Sequence, residues 1–568
     1  MRSFSKQALG LIVLIVSAIP LAMGATIGGT VKGPDGAPFE GAFVEAQNTA
    51  TNISTDVLSQ VNGSYTVPNL PAGTYRLTIR AVGYKAAPQS ETLETADQNA
   101  QADFALEKGT VSWSDLSVWQ AQLLLPNGPG REFFLGPRKQ PFGDSAGQLG
   151  VEGTCFTCHD FQSRMATRRL NHQGWLGLVN FMRFDAVPYF IGTNGVFPFS
   201  NPMANQAADY LTQIFGLNST LPASPADLPG YQATVRRFSN RAMNIVYVTY
   251  PTPDQTWLPF QAYPPTVKGF PSDGSIWVAN YGNANEVDQI DPTTGKARMY
   301  RVPCPSAAGI HSVEVGPDGY VWFAEQGCNR VGRIDVKTGE VKQYQNSYVP
   351  GKEWGLMGGS THDAHPMVVD GKLYVFSSGY PATRLDPATG KFTPVPGTND
   401  TYDVYEDLAN GKIWLTNIEK DPLREVDPKT LKTLVSVVPP VDPTTFQSHR
   451  IAISPEGVVW VTCREDRICS YDPKTKAFKQ YTPLGPETDD YAIGIDNAGK
   501  VWWSMSNLDT LQRLDPKTGH IVEYPFPYPE ITMRKFWLDT QGRMWTTSPA
   551  NGVVVYWYLA KGKAQASK

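Results

Sequence analysis

Over most of the chain, apolar and polar positions alternate in short runs bounded by turn residues. This is the period-two pattern of half-buried strands. From residue 255 onward the runs repeat, each with an aromatic at a fixed place. They are Ile276-Trp277, Val321-Trp322, Leu373-Tyr374, Ile413-Trp414, Val459-Trp460, Val501-Trp502 and Met544-Trp545. Successive aromatics lie 45, 52, 40, 46, 42 and 43 residues apart, a repeat length that signals a propeller or solenoid. Tight turns precede the aromatic, as in Pro317-Asp318-Gly319 and Pro455-Glu456-Gly457. Asp-Pro-x-Thr-Gly turns follow it, as at Asp291-Pro292-Thr293-Thr294-Gly295, at 386–390 and at 515–519. Proline at the second turn position and glycine where φ is positive account for these as hairpin turns, not calcium loops. Seven aromatics predict seven blades of four strands around a channel. The last repeat shows three strands, ending at Val553-Val554-Val555-Tyr556-Trp557. Ile245-Val246-Tyr247-Val248-Thr249-Tyr250-Pro251 has the pattern of the outer strands, and is expected to supply the fourth, closing the ring without free edges.

Residues 25–108 alternate in shorter strands between Pro34-Asp35-Gly36, Asn62-Gly63 and similar turns, which predicts a small antiparallel β-sandwich. Between 109 and 240 the period changes. Residues 174–182 have helical apolar spacing, and 204–215 read as a closing helix. The fold class is therefore mainly β: a seven-bladed β-propeller over 241–560, preceded by a small β-sandwich and a short α-helical domain.

Composition agrees, with a charged fraction of only 18% beside 51 Gly, 46 Pro and 14 Trp in 568 residues. Basic and acidic residues nearly balance, 49 against 53, so no electrostatic footprint for nucleic acid exists. Residues 1–24 read as a signal peptide: Arg2 and Lys6, an apolar stretch over 9–21, and Ala22-Met23-Gly24 as cleavage site. The alternative, an uncleaved anchor, needs a longer apolar stretch. No second long apolar run follows, so no transmembrane segment is expected after cleavage. The expected location is periplasmic or extracellular.

In that compartment Cys155-Phe156-Thr157-Cys158-His159 reads as a c-type haem attachment motif. The two thiols add to the haem vinyl groups and His159 becomes the proximal iron ligand. A zinc site needs further ligands nearby, and only His172 offers itself. For the second axial position the candidates are Met182, preferred, Met203 and His172. Four cysteines remain. Cys463 and Cys469 flank a short hairpin-like segment, and Cys304 with Cys328 is the remaining pair; both are candidate disulfides.

Three resemblances accompany this reading. The Asn62-Gly63-Ser64-Tyr65 turn and the Val82-Gly83-Tyr84 ending resemble the carboxypeptidase regulatory-like domain, which implies a spacer or docking module. The motif and closing helix over 109–240 resemble short class I cytochrome c domains. Gly316-Pro317-Asp318-Gly319-Tyr320-Val321-Trp322-Phe323-Ala324-Glu325 and Asn329-Arg330-Val331-Gly332-Arg333-Ile334 resemble the virginiamycin B lyase family. That last resemblance implies a histidine base with magnesium-binding carboxylates in a lactone-opening elimination. His311 and Glu325 match the family's histidine and one carboxylate; Gly309 stands at the other carboxylate, and no second histidine lies near Thr266.

Aligning the repeats on the aromatic exposes a position eleven residues earlier: Thr266, His311, Asp403, His449, Tyr491 and Arg534, with His365 in the shorter third repeat. Three of the chain's seven histidines fall there. A second column, three residues after the aromatic, holds Asn280, Glu325, Ser377, Asn417, Cys463, Met505 and Ser548. If both columns meet at one channel mouth, His311, His365, His449 and Glu325 form a candidate divalent metal site, such as one for magnesium, or His311 acts as general base. A solvated channel rim is the structural alternative. Two functions are expected to compete. One is an oxidoreductase or electron-transfer protein with a small-molecule substrate and a redox partner protein. The other is a lyase-like or purely binding propeller beside a separate electron shuttle.

Overall fold

The computed structural model describes residues 24–131, 162–186 and 200–560, apart from 254–257, 268–270, 282–284, 306–307, 349–360, 380, 399–400, 418–421, 439–447, 464–466 and 486–489. The chain is mainly β, with a few helices between the N-terminal sandwich and the repeats. The signal segment and Cys155, Cys158 and His159 lie outside the described residues.

In the sandwich, Ala25–Lys32 pairs with Ser64–Leu70 on one side and with Asn99–Gln101 and Phe104–Ala105 on the other. The second layer orders Ser54–Leu58, Phe43–Asn48, Gly73–Arg80 and Gln89–Leu93. Alternate residues of both layers, among them Ile27, Val44, Val67, Tyr75 and Leu77, meet in one core. The Asn62-Gly63 turn needs its glycine: φ is +76, and a Cβ would lie 2.5 Å from the Val31 carbonyl oxygen.

Helix His172–Phe181 starts two residues before the predicted stretch because Asn171 caps it, accepting from the Gly174 amide. Helix Asn201–Phe215 likewise starts early, with Ser200 as cap and Pro202 in the first turn; both residue types favour helix starts. The two helices pack on each other, and Trp113, Trp175, Tyr210, Leu211 and Phe215 form their core.

Seven four-stranded antiparallel sheets follow in a propeller-like arrangement. The first runs Pro259–Tyr263, Ile276–Asn280, Glu286–Ile290, Ala297–Arg301. Five more begin with Ile310–Val315, His365–Val369, Thr401–Asp407, Ile451–Ile453 and Asp490–Ile495. The seventh comprises Trp537–Leu538, Met544–Ser548 and Val553–Leu559, and takes Ile245–Pro251 as its outer strand, in register from Ile245↔Leu559 to Pro251↔Val553. The expected fourth strand is thus in place. Its other edge is not free either: Ile245–Pro251 also pairs with Ser54–Leu58, joining sandwich and seventh sheet into one eight-stranded sheet.

The repeated aromatics are core residues of the second strands; Trp277, Trp322, Trp414 and Trp545 are fully buried. The aspartate in the preceding turn has a second role beside the turn itself. Asp318, Asp496 and Asp539 accept the indole N–H of Trp322, Trp502 and Trp545 at 3.2, 3.0 and 2.8 Å. Each pairing satisfies a polar atom that burial otherwise strands. The Asp-Pro-x-Thr-Gly segments are hairpin turns: Asp291 accepts from Thr293 N through its side chain and from Gly295 N through its carbonyl, and Gly295 has φ +68. Both cysteine pairs form disulfides, Cys304–Cys328 and Cys463–Cys469. Among the described residues, no helix is long and apolar enough to cross a membrane.

Candidate functional site

The first strand of each sheet starts at one end of the assembly, and the second strand returns there. At that end one side chain from each sheet touches the next in a closed circle. Phe260 packs on His311 with centroids 4.6 Å apart, and His311 stacks on His362 at 3.8 Å. His362 meets Tyr402 at 4.7 Å, Tyr402 meets His449 at 5.0 Å, and His449 meets Tyr491 at 5.1 Å. The Arg534 guanidinium then lies over both Tyr491 and Phe260, at 4.7 and 5.3 Å, completing the circle. Four members are buried, whereas Phe260, Tyr491 and Arg534 are half-buried and form the accessible side.

The predicted column holds in four sheets, with His311, His449, Tyr491 and Arg534, and is displaced in three. Phe260 replaces Thr266, His362 replaces His365, and Tyr402 replaces Asp403. Five residues join the first and second strands in the four sheets where the column holds, against twelve, two and four in the other three. A connection of different length moves the inner strand relative to the aromatic, so a fixed count back from the aromatic misses in those three.

Beneath the circle lies a buried ion-pair network in which Asp363, Asp403, Arg450 and Lys535 directly follow circle members, joined by Glu314, His365 and Glu406. Arg450 Nη1 lies 3.1 Å from Asp363 Oδ2 and 3.3 Å from Asp403 Oδ2. Lys535 Nζ reaches Asp403 Oδ1 at 3.2 Å and Glu314 Oε1 at 3.5 Å. Glu314 Oε2 in turn accepts from His365 Nδ1 at 2.7 Å, and His365 Nε2 faces Glu406 at 3.5 Å. Burial disfavours every charge here, and the mutual pairing decides the outcome. Asp363 stays well below the usual carboxylate range because Lys535 and Arg450 outweigh its burial. His365, buried but bonded to Glu314 and Glu406, is raised to about 10 and is a cation at neutral pH.

The stacked imidazoles behave oppositely. Burial lowers His311 to about 4, despite Asp363 beside it. Burial and the His311 neighbour push His362 well below its ordinary value. His311 Nδ1 sits 3.6 Å from Asp363 Oδ1, just beyond hydrogen-bonding distance, and among the described residues neither it nor His362 Nε2 has a hydrogen-bond partner. A neutral imidazole facing an ionised carboxylate can accept a proton and have the resulting cation stabilised.

The proposed divalent ligand set is not assembled. His365 is held in the layer below by Glu314 and Glu406, and His449 packs between Tyr402 and Tyr491. Glu325 points elsewhere: both its oxygens accept from Gln343 Nε2, at 2.9 and 2.8 Å, beside the Cys304–Cys328 disulfide. Among the described residues, that disulfide with Glu325 is the one place where three metal-type donors lie together. Of the axial candidates, Met182 is half-buried at the end of helix His172–Phe181. Met203, like Leu176 and Val179, packs against Ala204 and Ala207, and His172 Nε2 is engaged by Asp209 at 3.2 Å.

Sequence reasoning missed Glu314, His362, Asp363, Arg450 and Lys535. A signal for them exists: His362-Asp363, Tyr402-Asp403, His449-Arg450 and Arg534-Lys535 each couple a ring-layer residue to a charge directly after it.

Comparison with known proteins gives partial likenesses. Residues 26–107 match the carboxypeptidase regulatory-like domain family. No curated protein matches the chain in sequence. A streptogramin B lyase structure is 17% identical with a TM-score of 0.44, covering 56% of this chain and 100% of that one. The Staphylococcus aureus virginiamycin B lyase is 17% identical with a TM-score of 0.45, covering 56% and 99%. The extracellular domain of a B. thetaiotaomicron one component system is 11% identical with a TM-score of 0.43, covering 55% and 40%. Likeness at this level gives no argument about activity.

Proposed function

We propose that this chain is an exported c-type cytochrome with an oxidoreductase or electron-transfer role, whose seven sheets close into a propeller that binds a small organic substrate. In this reading Cys155 and Cys158 attach the haem, His159 ligates its iron, and Met182 or Met203 supplies the second axial ligand. The haem would supply one-electron exchange with a partner carrier. His172 is taken by Asp209, which leaves the two thioethers free for that role.

The propeller's residues bind and move protons. The aromatic and imidazole faces of the circle suit a planar ligand, and Arg534 on the accessible side suits an anionic group on it. His311 takes a proton from the ligand, and Asp363 stabilises the imidazolium that forms. Asp363 is itself kept ionised by Arg450 and Lys535.

One observation carries the link between the two halves. Gln162, three residues beyond the haem motif, donates to Asp509 Oδ2 at 3.3 Å. Asp509 follows the second strand of the sixth sheet, at the end where the circle lies. Trp119 packs against the same sheet, with Arg236 over its ring. The helical segment is thus docked on the face that carries His311 and His449.

The test is the absorbance spectrum of the purified protein together with haem retention after denaturation. Covalent haem lost on Cys155→Ala with Cys158→Ala is expected; a folded protein exported without covalent haem overturns the reading. Carbon–oxygen lyase chemistry is the second reading, favoured by the His311–Asp363 pair, which needs no redox centre. It requires eliminative turnover that persists in the variant lacking haem.

A further inference from the structure

Glu325 ends the strand Val321–Glu325 and is fully buried. Among the described residues no cation pairs with it, and its hydrogen bonds come from Gln343 alone. Arg330 is the nearest cation it feels, yet Arg330 donates to Pro303 O and Gln345 Oε1 instead. Burial pushes the Glu325 carboxyl up to about 7, with Gln343 and Arg330 pulling the other way. A protonated acid is therefore present near neutrality, and its oxygen lies within 4.8 Å of both sulfurs of Cys304–Cys328.

The two disulfides differ in setting. Cys463 and Cys469 are buried at 1% and 0% exposure, inside a core with Trp414, Val461 and Tyr471. Cys304 and Cys328 are half-exposed in the loops at the end of the sheets where the histidine circle lies. A staple gains nothing from an unpaired buried acid, which costs stability. A disulfide that opens does gain, because its leaving sulfur departs as a thiolate and its rate rises when that charge is quenched.

We propose that Cys304–Cys328 is a thiol–disulfide exchange site for a dithiol partner, with Glu325 delivering the proton to the leaving sulfur. A thiolate of the partner attacks one sulfur, forming a mixed disulfide and breaking the Cys304–Cys328 bond. The released cysteine thiolate takes the Glu325 proton. The partner's second thiol gives its proton to the Glu325 carboxylate and attacks the mixed disulfide. The second cysteine then departs as a thiolate and takes up the proton the partner's first thiol had released. Two electrons and two protons pass from dithiol to disulfide, and Glu325 ends as it began. Gln343 holds the carboxyl in place, and Arg330, bonded to the residue before Cys304, favours the thiolate electrostatically.

The experiment treats the folded full chain with dithiothreitol, quenches by alkylation and reads each cysteine by mass spectrometry. Cys304 and Cys328 are expected to be alkylated while Cys463–Cys469 stays intact and the circular dichroism is unchanged. Glu325→Gln is expected to slow the opening by about ten-fold or more at about pH 6, the gap fading by about pH 8 as the wild-type acid ionises. The wild-type rate, divided by the thiolate fraction of dithiothreitol, is expected to rise as pH falls through about 7; this readout needs no variant. Reduction of both disulfides only as the fold melts, or a flat normalised profile with Glu325→Gln at the wild-type rate, overturns the proposal.

Discussion

His311 and His362 stack ring on ring, with centroids 3.8 Å apart and planes 21° from parallel, and both are buried. Two imidazoles this close cannot both be cations in a low-dielectric site, and burial already disfavours the first charge. Stability should therefore fall with acid. His311 has a folded value of about 4, below the ordinary 6.5, so between these values the unfolded chain binds a proton that the folded chain refuses. The stabilisation is complete above about pH 6.5 and is lost as pH falls through about 4, about 3 kcal/mol in all from His311. Denaturation at about pH 7 and about pH 4.5 checks this. The His311→Phe variant, which keeps a flat ring, is expected to lose less stability between the two.

His365 predicts the opposite limb. Its folded value is raised to about 10 by Glu314 and Glu406 against the effect of burial. Its contribution is fully present below the ordinary histidine value and is lost as pH rises through about 10. An alkaline loss of stability that disappears in His365→Gln, followed by denaturation, is the expected result.

Arg450 is shared between Asp363 and Asp403, all three buried. Arg450→Met leaves Asp403 to Lys535 and Asp363 to the neutral Gln261 amide, and is expected to cost about 3–5 kcal/mol. Adding Asp403→Asn should recover part of that loss, because it removes one of the two carboxylates that Arg450 served. Chemical denaturation of the single and double variants measures both steps.

Local features of this architecture were legible because they repeat. The aromatic of every second strand follows from the repeat spacing, and the paired turns and the outer strand Ile245–Pro251 from residue patterns that recur between repeats. The ion-pair network was not legible, since its partners are distant: Lys535 and Glu314 are 221 residues apart, and Arg450 and Asp363 are 87. The histidine column was legible only where five residues join the first and second strands, hence His311 and His449 but not His362. Glu325 was misplaced for a related reason. It opposes Ile310, not His311, across the ladder, and its side chain meets Gln343 and the disulfide, not the histidine circle.

The sandwich is structurally part of the seventh sheet. Ser54–Leu58 covers the edge of Ile245–Pro251, and Phe43 and Leu58 pack into the core of Tyr247, Trp557 and Phe526. Leu58→Ala is expected to cost about 2–5 kcal/mol through the cavity it leaves. Deleting 25–108 is expected to go further, lowering the melting temperature and causing self-association through the uncovered strand edge. Thermal melts and size-exclusion chromatography of the two variants separate these effects.

If the proposed haem is attached at Cys155 and Cys158, its second axial ligand is a choice between Met182 and Met203. Met203, like Leu176 and Val179, packs against Ala204 and Ala207 where the two helices meet, so its side chain already has apolar partners. Met182 sits where helix His172–Phe181 passes into a wider turn, between exposed Phe181 and buried Arg183. A soft thioether in that position has less packing to give up on binding iron. Met182→Ala is therefore expected to change the haem spectrum and lower the reduction potential while leaving the helical content intact. Met203→Ala is expected to keep the spectrum and lower the melting temperature, as loss of a packed side chain does. The reverse pattern, read by absorbance and circular dichroism on the same two variants, assigns the iron to Met203.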